Sequence, residues 1–195
     1  MNINNSKFYI LSFLLCFNLQ IQAQETKEYT CEELEEFASL ICANARRLSK
    51  GDSISKAGEI IEDDFISKFG IDKNDPNYKK LVAAVYNKYA DCFICRDKPT
   101  KFTRNPEHFL KRVVSLGMYE TILYDFLLYD EDEYPIDVNT IEILPNGEKE
   151  TLLDYIDKIL ADPEVSKKYD VKEILDLRGL IIEDFGAKKA SDLKK

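Results

Sequence analysis

The chain has 195 residues and a formal net charge of −9, from 36 acidic and 27 basic side chains. Its length fits one domain of ordinary size or two small lobes. An acidic surface repels nucleic acids and anionic lipids, which excludes them as main partners, and it attracts basic proteins. The same charge also keeps an exported protein soluble without any partner. Composition therefore restricts the class of partner without requiring one.

Residues 1–23 predict a signal peptide. Lys7 provides the positive start, residues 8–17 form a short apolar run, and Ala23 is a small residue at which signal peptidase cleaves. The run is too short to cross a bilayer of about 30 Å as a helix; an uncleaved N-terminal anchor is the alternative. Cleavage removes one lysine and no acid, which makes the mature charge −10. We predict a soluble periplasmic or secreted protein without membrane insertion after cleavage.

The mature chain keeps four cysteines, all in its first half: Cys31, Cys42, Cys92 and Cys95. An even number in an exported chain indicates disulfides. Cys31 and Cys42 would lie about 16 Å apart on a regular helix, whereas the Cα atoms of a disulfide lie within about 7 Å of each other. We therefore predict two cross-links between the first helix and the end of the third, with the partners left open.

Two alternatives use the same cysteines differently. Cys92-x-x-Cys95 has the spacing of thiol oxidoreductases, in which the pair lies at a helix start. Here the pair follows a predicted helix, where the helix dipole has the opposite sign. A four-cysteine zinc site fits the second pair but not the ten residues between Cys31 and Cys42. A thiol-redox enzyme using Cys92 and Cys95 is therefore the runner-up to a non-catalytic protein.

Residues 24–98 form a predicted helical cap that carries the four cysteines. Thr30 and Glu33 form a capping box at the start of the first helix. Apolar residues then recur every three or four positions, which predicts one buried stripe. The stripe consists of Cys31, Leu34, Ala38, Ile41, Ala45 and Leu48.

Two further helices are predicted in this region. The second runs from about residue 53 to residue 69 and ends at Gly70. The third opens at Asp75-Pro76, an N-cap followed by a proline. The residues expected to point inward are Ile54, Ile61 and Phe65 on the second helix and Leu81, Val85 and Tyr89 on the third.

Residues 99–195 contain two copies of a predicted helix pair, a clear copy and a more divergent one. Asn105-Pro106 opens the clear copy, His108–Gly117 forms its first helix, Met118–Leu128 its second, and Ile136–Asn139 closes it. This unit resembles an ankyrin repeat, whose usual form is a capped helix, a glycine turn, a Val/Leu-rich helix and Ala-Asp-Val-Asn. His108 takes the place of the threonine that opens the family motif, so we interpret this histidine, the only one in the chain, as a helix-start residue.

The looser copy begins at Asn146-Gly147 and Thr151–Tyr155 and ends at Phe185–Lys189. The resemblance covers about residues 105–190 and implies stacked helical hairpins that bind other proteins through loops and inner helices. Its spacing departs from the family, because Thr151 follows His108 by 43 residues where the usual period is about 33. The N-terminal helices then serve as a cap or as degenerate repeats.

Between and after these units the sequence predicts three further elements. Weak alternation over Thr140–Leu144, followed by Asn146-Gly147, predicts a short hairpin. Residues 150–161 and 171–185 predict the last two helices, joined by a long connector that contains Asp162-Pro163.

An acidic run suggests where a partner binds. Residues 113–148 contain nine acids and no lysine or arginine. Tyrosines add rigid contact area, and the acids would attract a basic protein. The acids lack the spacing of a calcium loop, and a flexible acidic loop without a ligand is the alternative. The predicted partner contacts are Tyr129, Asp130, Glu131, Asp132, Glu133 and Tyr134.

Together these patterns predict an all-α protein of stacked helical hairpins, with an ankyrin-like C-terminal half and a cysteine-stapled N-terminal cap. We expect no catalytic residues, cofactor or metal. The favoured function is an exported protein-binding protein, most concretely a periplasmic immunity protein that neutralises a basic toxin or effector. The alternatives are the thiol-redox enzyme and a structural subunit of an envelope complex.

Overall fold

Seven α-helices occupy most of the part of the chain that a computed structural model describes, which is residues 27–51, 53–96, 104–120, 122–123 and 136–193. The helices are α1 (Cys31–Leu48), α2 (Ala57–Phe69), α3 (Tyr78–Tyr89), α4 (Phe109–Ser115), α5 (Leu152–Ala161), α6 (Pro163–Ser166) and α7 (Val171–Glu183). Short 3-10 turns at Ile54–Lys56 and Ala90–Cys92 precede α2 and follow α3.

Two short strand pairs accompany the helices. In the first, β1 (Ile94–Cys95) pairs antiparallel with β2 (Glu107–His108). In the second, β3 (Glu142–Ile143) pairs antiparallel with β4 (Lys149–Glu150). The predicted helix-rich fold is confirmed, with these two-residue strands as an addition to it. The stacking of ankyrin-like hairpins stays a prediction.

Two predicted segments lie largely outside the described residues. The predicted signal peptide, residues 1–23, lies wholly outside them. Of the second helix predicted for the clear repeat, residues 118–128, the structure describes 118–120 and 122–123. The starts of the two repeats are described: His108 is the N-cap of α4 and Thr151 is the N-cap of α5.

The start of α1 follows from local chemistry, as predicted. The Thr30 hydroxyl oxygen accepts a hydrogen bond from the Glu33 backbone N–H at 3.3 Å, and the Glu33 carboxylate accepts one from the Thr30 N–H at 2.9 Å. These bonds satisfy two amides that have no partner inside the helix. Five of the six predicted stripe residues are buried, and Cys31 is exposed at the helix start.

Aromatic rings fill the space beneath α1. The ring of Phe65 lies 5.1 Å from that of Phe37 and 5.2 Å from that of Phe93, centroid to centroid, both in edge-to-face arrangements. The Tyr86 ring lies 5.4 Å from Phe93. Edge-to-face pairs add to the stabilisation from burial alone. This cluster fixes α2, α3 and the chain before β1 against α1.

The inward faces predicted for α2 and α3 are partly wrong. Ile54 is 44% exposed, because it belongs to the 3-10 turn and not to α2. On α3, Leu81 is 38% exposed, whereas Val82 and Tyr86 are buried one position later. Both stripes obey helical spacing and share Tyr89, so spacing cannot choose between them. Packing of Tyr86 into the aromatic cluster selects the second.

Two predicted helix starts are also displaced. The Asp75 carboxylate accepts a hydrogen bond from the Asn77 N–H at 2.8 Å, and α3 begins only at Tyr78. Asn105-Pro106 does not open α4, because the next two residues form β2. The helix begins at Phe109 instead.

The hairpin predicted after residue 140 is confirmed. β3 and β4 are joined by a turn in which the Leu144 N–H donates to the Glu148 carbonyl oxygen at 2.8 Å. Gly147 has a φ of 84°, a left-handed conformation that glycine adopts without the steric cost of a Cβ. The hairpin leads directly into α5, where Thr151 and Asp154 form a second capping box.

The core is continuous from α1 to α7. α1 packs on α2, β1 and α4, and α5 packs on α4, α6 and α7. All seven residues of α4 are buried, including Lys111 and Arg112. An unpaired buried charge is strongly destabilising. The elements around α4 must therefore provide partners for its buried charged side chains.

Candidate functional site

The most unusual chemistry of the described chain lies around α4. The Arg112 side chain is fully buried, and its Nε donates a hydrogen bond to the Glu107 carboxylate at 2.8 Å. Its Nη2 donates to the Arg104 carbonyl oxygen at 2.7 Å. The Ser115 hydroxyl lies 2.9 Å from the Arg112 carbonyl oxygen and 3.4 Å from the same Glu107 oxygen, and its single hydrogen can be donated to one of them at a time. β2 and α4 therefore enclose one ion pair, which a backbone carbonyl oxygen also contacts.

A second ion pair joins α4 to the β3–β4 hairpin. Lys111 is buried, and its Nζ lies 2.9 Å from the Glu142 carboxylate and 3.1 Å from the Glu150 carboxylate. The Lys111 ammonium also donates to the Glu150 carbonyl oxygen at 2.9 Å. Arg104 binds the same Glu150 carboxylate oxygen, Oε2. Lys111 on α4 therefore contacts both strands of the hairpin.

We call these six side chains the buried charge network. They are Arg104, Glu107, Lys111, Arg112, Glu142 and Glu150. Three cations face three carboxylates, so these six residues carry no net charge; Lys158, which is 56% exposed, contacts Glu150 from outside this set at 2.9 Å. The residues of the network come from the chain before β2, from β2 and α4, and from β3 and β4, so it fixes the first repeat-like helix to the hairpin that precedes the second.

The two most buried carboxylates of the network have opposite pKa shifts. Burial alone would raise the pKa of Glu150, but a hydrogen bond from Arg104, the charge of Lys111 and a hydrogen bond from Lys158 lower it to about 2. Burial raises the pKa of Glu107 above its usual range, against the opposing hydrogen bond from Arg112. Glu150 has three cationic partners, of which Lys111 and Lys158 lie within 3.1 Å, whereas Glu107 has Arg112 at 2.8 Å and Arg104 only at 3.7 Å.

His108 is a helix-start residue, as the sequence predicted. Its Nδ1 accepts a hydrogen bond from the Leu110 N–H at 3.3 Å, which caps α4. Its Nε2 lies 2.8 Å from the Ala90 carbonyl oxygen, to which it donates. Burial lowers the pKa of the ring. Both ring nitrogens are used, and the neutral tautomer joins α4 to the turn that carries Cys92.

Sequence patterns alone did not reveal the buried charge network. Charged neighbours such as Lys111 and Arg112 usually mark a solvent-exposed helix face. The available signal was their position within an otherwise apolar helix, between Leu110 and Val113. Glu142, counted in the acidic run, pairs with Lys111 inside the molecule.

The pKa of Glu150 gives a pH prediction. A carboxyl whose pKa falls on folding binds fewer protons in the folded state, so its stabilising effect is present above about pH 4.5 and is lost towards pH 2. Wild type should therefore be more stable than Glu150→Gln at pH 6, and this difference should shrink as the pH approaches 2. Urea unfolding of both proteins at several pH values measures it.

Glu148→Gln is the matched control, because its side chain is 62% exposed and lies 3.7 Å from Lys158. We expect its stability to follow that of wild type within about 0.5 kcal/mol across the same pH range. A difference between wild type and Glu150→Gln that stays constant with pH would contradict the assignment of the low pKa to Glu150.

The cysteines form the two predicted cross-links between α1 and the end of the α3 region. Cys31 is bonded to Cys92 and Cys42 to Cys95. The thiol-redox hypothesis required a Cys92–Cys95 bond, and a zinc site required thiolates; the structure instead joins each of these two cysteines to α1. Disulfides are typical of proteins that fold in an oxidising compartment outside the cytoplasm.

The two disulfides differ in access to solvent. Cys42 and Cys95 are completely buried. Cys31 is exposed and Cys92 half-buried, and both line a surface depression together with Glu32, Glu35, Asp91, Ile94 and Arg96. A thiolate must reach a sulfur atom to exchange with it. A thiolate can therefore reach the Cys31–Cys92 bond in the folded protein, whereas it can reach the Cys42–Cys95 bond only after the core opens.

We therefore expect stepwise reduction of the folded protein. Under a low concentration of dithiothreitol, Cys31 and Cys92 should be alkylated first, and Cys42 and Cys95 only after denaturant is added. Peptide mass spectrometry after iodoacetamide labelling distinguishes the sites. Simultaneous labelling of all four cysteines in the folded protein would show that burial does not protect the second bond.

The predicted partner contacts, Tyr129, Asp130, Glu131, Asp132, Glu133 and Tyr134, lie outside the described residues. The described chain resumes at Ile136, which is buried. Next to it, the Asp137 N–H donates to the Asn87 side-chain oxygen on α3 at 2.8 Å. Shortly after the acidic segment, the chain is therefore held by two residues: Ile136 in the core and Asp137 by its hydrogen bond to α3.

Comparisons with known proteins add no relative. No family model, curated protein or solved structure matches the chain. Within the described ranges, no helix has the length and apolar character needed to cross a membrane. The fold and the site thus define the protein as helix-rich, cross-linked by two disulfides and organised around a buried charge network.

Proposed function

We propose that this chain is an exported, non-catalytic protein that binds another protein through its C-terminal half. Its most concrete form is a periplasmic immunity protein that neutralises a basic toxin or effector. The observation that carries this proposal is the distribution of charge. The buried charge network is neutral, so the excess of ten negative charges of the mature chain lies outside that network.

The disulfides support the exported location. Two disulfides join α1 to the chain near β1. They stabilise the folded protein in a compartment outside the cytoplasm, where chaperones and repair are scarce. An inhibitor of a toxin benefits from a rigid acidic surface, because electrostatic attraction raises the association rate with a basic partner. The acidic segment 129–134 provides the densest such charge in the sequence.

The test is calorimetric titration with the exported protein encoded by an adjacent gene. Reversing the four charges over residues 130–133 to lysine should weaken binding about tenfold or more, and raising the salt concentration should weaken wild-type binding. A matched control reverses four exposed acids that cap no helix, Glu32, Glu35, Glu36 and Glu59. Equal affinity of wild type and the 130–133 variant would refute the assignment of contacts to this segment.

An envelope subunit is the competing function. It predicts stable co-purification with a complex under all growth conditions, and no protection of cells against a periplasmic toxin. An immunity protein instead protects cells that express it.

A further inference from the structure

One side of α7 presents apolar residues to solvent. Val171 and Leu175 are 43% and 52% exposed. Gly179 follows one turn after Leu175, and Ile182 is half-buried. Steps of four, four and three residues align these positions along the helix, over a length of about 16 Å. We call them the α7 apolar stripe.

This stripe is a second face of the helix. The inner face, formed by Ile174, Leu177 and Ile181, is already buried in the core. Within the described structure, apart from the helix's own backbone and chain neighbours, no heavy atom lies within 4 Å of the position that a Cβ would take at Gly179. The stripe therefore combines a projecting leucine with an open gap one turn later.

Charges at the two ends of α7 frame the stripe. Lys172 and Glu183 are both exposed. They are eleven residues apart, about three turns, so their side chains leave the helix on the same flank of the stripe. Neither side chain has an ion-pair partner among the residues that the structure describes. Each end of the helix thus offers one unused charge of opposite sign.

We infer that α7 is the contact face of a homodimer in which two copies pack antiparallel about a two-fold axis. In a two-fold interface, if one residue contacts a second residue of the partner, the reverse contact also forms. Leu175 of each copy then lies in the gap at the other copy's Gly179. Lys172 of each copy meets the Glu183 of the other, which forms two ion pairs.

The occupant is a second copy because the face is complementary to itself in this orientation. An antiparallel arrangement also places each helix start beside the partner's helix end, where the helix dipoles attract. Gly179 permits a close approach of the two helix axes. The inference is independent of the proposed function, since it uses α7 and not residues 129–134.

Sedimentation velocity over about 1 µM to 1 mM of the purified protein tests the dimer. Leu175→Asp should raise the dimer dissociation constant about tenfold or more, because it places a charge against the partner helix. Gly179→Gln should do the same while leaving the monomer folded, since glycine is a poorer helix former than glutamine.

A charge exchange tests the antiparallel register. Lys172→Glu and Glu183→Lys should each weaken the dimer, and the double variant should restore it, because the two ion pairs reform with reversed signs. Leu40→Asp is the matched control, as Leu40 is 48% exposed on α1, and it should leave the dimer unchanged.

Three results would overturn the inference: a monomer throughout the concentration range, a dimer that persists in Leu175→Asp and Gly179→Gln, or a dimer lost only in Leu40→Asp. A dimer that is sensitive to Leu175 but not restored by the double charge variant would overturn the antiparallel register. Circular dichroism of each variant establishes that a lost dimer does not reflect unfolding.

Discussion

Replacing Arg112 with methionine should lower the free energy of unfolding by about 3–5 kcal/mol, because it leaves the Glu107 carboxylate buried without its main partner. Both side chains are completely buried in the folded protein. The loss of stability comes more from leaving the Glu107 carboxylate buried and unpaired than from losing its attraction to Arg112. Urea unfolding at pH 7, followed by circular dichroism, measures the change.

The double variant Glu107→Leu, Arg112→Met separates these two contributions. Removing both charges leaves apolar side chains of similar size, so we expect most of the lost stability to return. The exposed Lys167–Glu164 pair, with side chains 67% and 80% exposed, provides the control: Lys167→Met should change stability by less than about 0.5 kcal/mol. A double variant as unstable as Arg112→Met would show that the pair itself is needed.

The second large effect concerns the buried disulfide. Replacing Cys42 and Cys95 with alanine opens a loop of 53 residues, which should lower the free energy of unfolding by about 4 kcal/mol from chain entropy. Both sulfur atoms are buried, so their loss also leaves a cavity that costs roughly 1–2 kcal/mol more. Thermal and urea unfolding under oxidising conditions measure the total.

The exposed disulfide is the natural comparison, because it closes a loop of 61 residues, which is nearly the same length. Replacing Cys31 and Cys92 with serine should cost a similar entropic amount without the cavity contribution. The variant that lacks the Cys42–Cys95 bond should therefore be the less stable of the two. The opposite order would mean that strain or denatured-state structure outweighs burial.

Local signals in the sequence predicted the local features of the fold. The hydroxyl of Thr30 and the carboxylate of Glu33 act within one helical turn, so the start of α1 follows from sequence alone. The same holds for the turn at Gly147. The separation of Cys31 from Cys42 along one helix was also sufficient to exclude a bond between them.

Features that depend on distant partners were not predictable in this way. Lys111 is buried because Glu142 and Glu150 meet it from positions 31 and 39 residues away in the chain. The inward face of α3 depends on the packing of Tyr86 against Phe93. Neither relationship leaves a periodic pattern, since both arise only when the hairpin and the aromatic cluster have formed.

The spacing of the two disulfides constrains the chain between Cys92 and Cys95. Their partners on α1 are about 16 Å apart along the helix, and the two bonds span 4.9 and 5.6 Å between Cα atoms. At least about 5.5 Å must then separate the Cα atoms of Cys92 and Cys95, whereas three residues of helix advance only about 4.5 Å. This Cys-x-x-Cys segment must therefore be extended, unlike the helical form used by thiol oxidoreductases.

The direction of that extended segment matters as well. The bonds Cys31–Cys92 and Cys42–Cys95 make it run parallel to α1, and the exchanged bonds would require it to run the other way. Reversal would break the pairing of β1 with Glu107 and His108. The C-terminal half thus selects which cysteines are oxidised together in the N-terminal half, and a truncated chain that ends before β2 should form scrambled disulfides.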